Sequence, residues 1–288
     1  MSNLSTDTVK LPLMLTSLRL PTFARLWPEL TQRADRESWP AARLLATLAE
    51  LERAERVQRR IQRHLAEARL PEGKTLDSFD FTAVPMVSKA HVMALASGDA
   101  WLAKGGTILC FGPPGSGKSH LSAALGAALV ENGFRVLFTR TTDLVQKLQS
   151  ARRDLALESA IDKLDKFDLL ILDDLSYVHK DQAETSVLFE LIAARYERRS
   201  IMITANRPFG AWENLFPDKA MTIATIDRLV HHATIFEMNV ESFRRRTATE
   251  QRQPATLGTT PRDIAQSNES NPDTTSMSLR DNDHPQRS

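Results

Sequence analysis

The chain has one cysteine, two tyrosines and four tryptophans in 288 residues, and neither sign of charge dominates, with 37 Lys and Arg against 36 Asp and Glu. One cysteine excludes a disulfide framework within the chain, and Cys110 falls in the apolar run "TILCF", where a buried thiol in a reducing compartment is expected. No apolar run reaches the roughly 20 residues that a membrane-spanning helix needs, and "MSNLSTDTVK" lacks the charged and apolar regions of a secretory signal. These absences predict a cytoplasmic protein without a membrane partner. The small net charge hides opposed ends: residues 1–75 carry 13 Lys and Arg against 9 Asp and Glu, whereas residues 247–288 carry 4 against 6. That last stretch has no aromatic residue and is dense in Ser, Thr, Asn, Asp, Gln and Pro, so a disordered tail is predicted for 247–288, and disorder also for residues 1–10.

The remaining chain divides in two. From 11 to 75, apolar residues recur at helical spacing with prolines near the boundaries, which predicts a small all-helical domain that binds DNA or a partner. From 76 to 246, the short β-type runs "TILCF", "RVLFT", "DLLILDD", "SIMITAN" and "TIFEM" alternate with helical stretches. That alternation predicts an α/β core, a parallel sheet with helices on both faces.

Between the first run and its helix lies "GPPGSGKSH". Gly112, Gly115 and Gly117 allow the backbone to wrap its N–H groups around phosphate oxygens, and a helix starting near Lys118 adds its positive dipole end. Lys118 puts a point charge on the outer phosphates and Ser119 offers a hydroxyl to Mg²⁺. The predicted cradle for a nucleoside triphosphate is therefore Gly112, Pro113, Pro114, Gly115, Ser116, Gly117, Lys118, Ser119 and His120. In "DLLILDDLS" an apolar strand delivers two carboxylates at its carboxyl end, where open α/β sheets bind ligands; Asp173 suits the Mg²⁺ and Asp174 the attacking water. A further apolar strand, "SIMITAN", ends at Asn206, a candidate for holding the water or the γ-phosphate. His179, His231 and His232 have no Cys or carboxylate at the sequence spacing of a zinc site, so no protein-held metal beyond the nucleotide's Mg²⁺ is expected.

Two basic sets are candidates for double-stranded DNA. Arg53, Arg56, Arg60 and Arg63 share one helical face, with Leu44, Leu48 and Leu51 opposite, although Glu50, Glu52, Glu55 and Glu67 intersperse and a solvated helix laced with ion pairs reads the same way. Lys147, Arg152 and Arg153 occupy a helical stretch after the second strand.

Together, "GPPGSGKS", "LLILDD", "ITANRPF" and "IDRLVHHA" resemble the AAA+ ATPases, in the group of helicase loaders and insertion-sequence helpers. With "LDSFDF", "YERRSIMITANRPFGAW" and "DRLVHHATIFEM", most of residues 11–246 resembles the IstB type of transposition helper. The resemblance implies ATP with Mg²⁺, an ATPase domain without a C-terminal lid, a homo-oligomer on non-specifically bound DNA, and a cognate transposase as partner. It carries the catalytic roles onto Lys118, Asp173, Asp174 and Asn206, matches Arg228 to an arginine finger that reaches a neighbouring subunit's nucleotide, and likens the stretch with Lys147, Arg152 and Arg153 to a DNA-contacting insertion. Asp174 departs from the broader pattern, where Glu is usual, which implies slow hydrolysis. A replicative helicase loader is the alternative, and a small-molecule kinase a weaker one for want of a second pocket.

Overall fold

The computed structural model describes residues 3–175, 182–207, 212 and 219–240. Its elements in chain order are α1 (Asn3–Ser17), α2 (Pro21–Arg36), α3 (Ala41–Ala68), α4 (Lys89–Ser97), α5 (Asp99–Ala103), β1 (Thr107–Phe111), α6 (Lys118–Glu131), β2 (Val136–Arg140), α7 (Thr141–Arg153), α8 (Leu157–Leu164), β3 (Leu169–Asp173), α9 (Gln182–Arg195), β4 (Ser200–Ala205), α10 (Lys219–Val230) and β5 (Ala233–Glu237). The strands form one parallel sheet in the order β2-β3-β4-β1-β5. Side chains alternate across its pleat. Leu109, Phe111, Leu170, Leu172, Ile201 and Ile203 meet α7–α10 on one face, and Ile108, Cys110, Val136, Ile171 and Met202 meet α4–α6 and the end of α3 on the other. Both faces being covered explains why the strands are apolar runs rather than alternations. Among the described residues, no helix is long and apolar enough to cross a membrane.

Within the stretch 1–10, expected to be disordered, the described residues 3–10 belong to α1, which lies against α2. The tail at 247–288 lies outside the described residues. The helix that carries the first basic set buries two faces instead of one. Its N-terminal half lies on α2 through Leu48 and Glu52, and its C-terminal half lies on α6 and β2 through His64 and Ala68. Leu51, expected to pack, is 37% exposed.

Glu52 also departs from expectation: a residue expected among the surface charges is 3% exposed. Its Oε2 accepts the Thr22 and Phe23 N–H groups at 2.8 and 3.3 Å, which caps α2 where Leu20 has no side chain to do so. Its Oε1 accepts from Arg56 at 2.9 Å and from Arg59 at 3.1 Å. The helical expectation for α7 holds, but the helix covers the sheet rather than standing apart as an insertion, because Leu144, Val145 and Leu148 are buried in the core.

Candidate functional site

The phosphate-loop residues gather at the carboxyl edge of the sheet. Gly112, Gly115 and Gly117 have φ of 154°, 85° and 98°. A Cβ on Gly112 would lie 2.4 Å from the Met238 carbonyl oxygen, just past β5, so the loop is held by backbone that only glycine fits. Phe79 and Met238 close over Gly117. Pro113, Pro114 and Ser119 are exposed, and Ser119 stands in the first turn of α6. His120 turns toward the preceding linker: its Nε2 is 3.0 Å from Ser78 Oγ and its ring meets Phe79 edge-on.

Two features fit an anion in this loop. Lys118, 7% exposed, directs its Nζ inward and donates to the Gly112 and Pro113 carbonyls at 2.8 and 2.9 Å, so phosphate oxygens entering the loop would meet an ammonium already in place. Ser116 Oγ is buried and has no hydrogen-bond partner among the described residues.

Asp173, Asp174 and Asn206 do come together, the two aspartates through a residue that the sequence reading missed. Thr204 lies on β4, between the strand that bears the two aspartates and the strand that leads into the loop. Its hydroxyl donates to Asp173 Oδ1 at 2.6 Å and accepts the Asp174 N–H at 2.8 Å. Thr141 Oγ1 donates to the Asp173 carbonyl at 3.0 Å, and Asn206 Nδ2 donates to Asp174 Oδ1 at 3.2 Å. Asp174 has φ of 63°, a left-handed conformation that Asp and Asn tolerate better than most residues. Burial, then the neighbouring Asp173 charge, pushes its carboxyl above the usual range, while Lys118 and Arg140 pull the other way. The only signal for Thr204 was a hydroxyl among apolar strand residues.

The profile of the family described as IstB-like ATP binding protein matches residues 13–251. The chain belongs to that family. The IstB-like chain is 72% identical over 258 residues to a protein of Sinorhizobium fredii named as an insertion sequence ATP-binding protein, covering 88% of this chain and 87% of that one. It is 34% identical over 235 residues to the insertion sequence IS21 ATP-binding protein of Pseudomonas aeruginosa, covering 82% and 88%. In fold it is similar to the DnaC helicase loader, with a TM-score of 0.50 and 20% identity over 58% of this chain and 98% of that one. It is similar also to AMPPCP-bound DnaA from Aquifex aeolicus, with a TM-score of 0.51 and 17% identity over 66% and 57%. The chain thus shares the fold of these two proteins, and its family is described as ATP binding.

Arg228 is apart from this edge. It lies in the last turn of α10, beside Thr107 at the opposite end of β1, where its guanidinium stacks 5.2 Å from the Phe189 ring and donates to the Ala224 carbonyl at 2.9 Å. Strand length alone, about 3.3 Å per residue over five residues, separates it from its own chain's loop.

The basic sets divide by how far they are engaged. Arg56 is bound to Glu52 and to the Arg19 carbonyl, and Arg152 to Glu190 and Ser186 on α9. Arg60 lies against Gly133 at the C-terminal end of α6, where the helix dipole favours a cation. Arg53, Arg63, Lys147 and Arg153 are exposed and, among the described residues, pair with no carboxylate. His179 lies outside the described residues. His231 and His232, expected to lack a carboxylate partner, each stand 3.5 Å from Glu197, a residue too distant in sequence for motif spacing to reveal.

Proposed function

We propose that this IstB-like chain hydrolyses ATP with Mg²⁺, assembles with copies of itself on duplex DNA, and so assists the transposase of an insertion sequence. The observation that carries the hydrolytic reading is the hydrogen-bonded set Asp173, Thr204, Asp174 and Asn206 beside the Lys118 loop. Lys118 and the loop N–H groups neutralise and orient the phosphates; Ser119 and Asp173 hold the Mg²⁺. ATP supplies the transferable phosphoryl group, and the ion neutralises charge on it. Asp174, its proton affinity raised by burial and oriented by Asn206, positions the attacking water and takes its proton.

Arg228 serves a neighbouring copy's nucleotide, a role favoured by its distance from its own loop and by the planar fork that matches phosphoryl oxygens. The nucleotide then stabilises the assembly, and loss of the γ-phosphate weakens it. Repeated copies of Arg53 and Arg63, with Lys147 and Arg153, form a track of sequence-indifferent phosphate contacts, to which the already engaged Arg56 and Arg152 add less. DNA bent along such a track stores deformation at the transposase's target. The relatives' naming as insertion sequence ATP-binding proteins favours this over helicase loading, which the fold alone would also accommodate.

The test combines turnover with DNA binding. Lys118→Ala should lose ATP binding; Arg228→Ala should bind ATP without turnover and regain activity when mixed with Asp174→Asn, because mixed interfaces restore one complete site. Duplex affinity across a salt series should be high and steeply salt-dependent with ATP and low with ADP. Equal affinity with both nucleotides refutes the switch, and no rescue in demonstrated mixed oligomers refutes the shared site.

A further inference from the structure

Away from the phosphate loop, three metal-ligating side chains meet at the amino edge of the sheet. Glu197 follows the end of α9, and His231 and His232 form the turn between α10 and β5. Glu197 Oε1 is 3.5 Å from both His231 Nδ1 and His232 Nε2, and all three donor atoms lie within 4.8 Å of one another. A good nitrogen-to-oxygen hydrogen bond measures about 2.7–3.2 Å, so both approaches are long for one. They match the edge of a tetrahedron around zinc, which is about 3.3–3.5 Å for metal–ligand bonds of about 2.0–2.2 Å.

The backbone aims these groups deliberately. Glu197 has φ of 53°, a strained conformation for a residue with a long side chain, and it occurs in the turn that throws its carboxylate toward the histidines. The Thr107 N–H donates to the His232 carbonyl at 3.2 Å, and the His231 N–H to the Asp227 carbonyl at 3.1 Å, so both histidine backbones are pinned. The imidazole rings stack with centroids 4.1 Å apart, and Tyr196 Oη lies 2.7 Å from His231 Nδ1. About half of each donor side chain is exposed, which leaves an entry path and room for a fourth ligand.

The geometry points to a binding site for a divalent transition-metal cation of the zinc class, held by Glu197, His231 and His232 with a fourth position open to water or to a group from another molecule. Two imidazoles and one carboxylate are a donor set that zinc accepts, and Mg²⁺, which prefers oxygen ligands, is a poor competitor. A cation here ties the α9–β4 turn to the α10–β5 turn, three residues after Arg228. Tyr196 is the hydrogen-bond partner that the cation displaces from His231 Nδ1.

The full chain, purified without a histidine tag and stripped with a chelator, is titrated with Zn²⁺ against a chromophoric competitor and with Co²⁺ followed by visible absorption. One equivalent per chain is expected, with a tetrahedral Co²⁺ spectrum and an apparent Tm that rises with Zn²⁺. His231→Ala and His232→Ala should each weaken Zn²⁺ more than about tenfold, Glu197→Gln should weaken it also, and all three should lose the Zn²⁺-dependent rise in Tm. Asp173→Asn should keep the site, which separates it from any cation at the two aspartates. The inference is overturned if Zn²⁺ affinity is unchanged in both histidine variants, or if binding is lost only in Asp173→Asn. Metal-free circular dichroism matching the parent confirms that the exposed substitutions leave the fold intact, and Tyr196→Phe, which frees Nδ1 without removing a ligand, should bind Zn²⁺ at least as tightly as the parent. Weaker binding in Tyr196→Phe would count against the assigned donor.

Discussion

Replacing Thr204 with valine keeps the volume of a side chain that is 1% exposed and removes one hydroxyl. That hydroxyl makes the 2.6 Å bond to the Asp173 carboxylate and receives the Asp174 N–H at 2.8 Å. A hydrogen bond to a charged group contributes about 1.5–3 kcal/mol, and a stranded buried N–H costs about 1–3 kcal/mol. The two losses share one atom and overlap, so Thr204→Val should destabilise the chain by about 2–4 kcal/mol, roughly a 4–16 °C fall in apparent Tm for a core of this size. Turnover should fall between about tenfold and a hundredfold, because the Asp173 carboxylate and the Asp174 backbone lose their common anchor while ATP affinity, set by the loop, stays near the parent value. Thr204→Ser, which restores the hydroxyl, should recover most of both. Thermal unfolding by circular dichroism and phosphate release under single-site conditions measure the two effects. A valine variant with Tm within about 2 °C of the parent and unchanged turnover would refute the view that Thr204 organises the aspartate pair.

Asp174→Asn should abolish hydrolysis yet raise Tm at neutral pH. The folded carboxyl titrates above its ordinary value of 3.8, so the native state holds that proton more tightly, and stability is lost as pH rises through the window above 3.8. The asparagine variant should lack this loss; a lower Tm than the parent at pH 7 would contradict it. For Glu52 the sign reverses. Burial alone would raise its carboxyl, but bonds from Arg56, Thr22 and Phe23 outweigh it and hold the group below the usual 4.5. Its contribution is present above 4.5 and lost as pH falls through the lowered value. Glu52→Gln should therefore cost about 1.5–3 kcal/mol at pH 7 and progressively less below pH 4.5, read by urea unfolding at several pH values. An equal deficit at every pH would refute the ionised cap.

The phosphate loop and the five strands were legible because each is a local pattern: glycines at fixed offsets, and apolar runs too short for helices. The two aspartates were legible as a strand ending in charge. What escaped depends on neighbours distant in the chain. Thr204 reads as one more strand residue until β4 is set between β3 and β1. Glu52 looks like solvated charge until α2 arrives with uncapped N–H groups. The Glu197 carboxylate belongs to the histidine pair only after α10 turns back into β5. Arg56 and Arg152 read as candidates for DNA contact for the same reason, and packing engages them with Glu52 and Glu190.

Helix α3 runs unbroken for 28 residues, about 42 Å, and its last turns rest on the helix that begins at Lys118. Such a rod acts as a lever whose fulcrum is the C-terminal half of α6, where Leu70, just past the rod, meets Gly126 and Arg60 meets Gly133. A tilt of about 5° at α6 sweeps the far end, with α1 and α2 attached, through an arc of about 4 Å. Adjustments too slight to notice in the seat of α6 thus become displacements of several ångströms at α1 and α2.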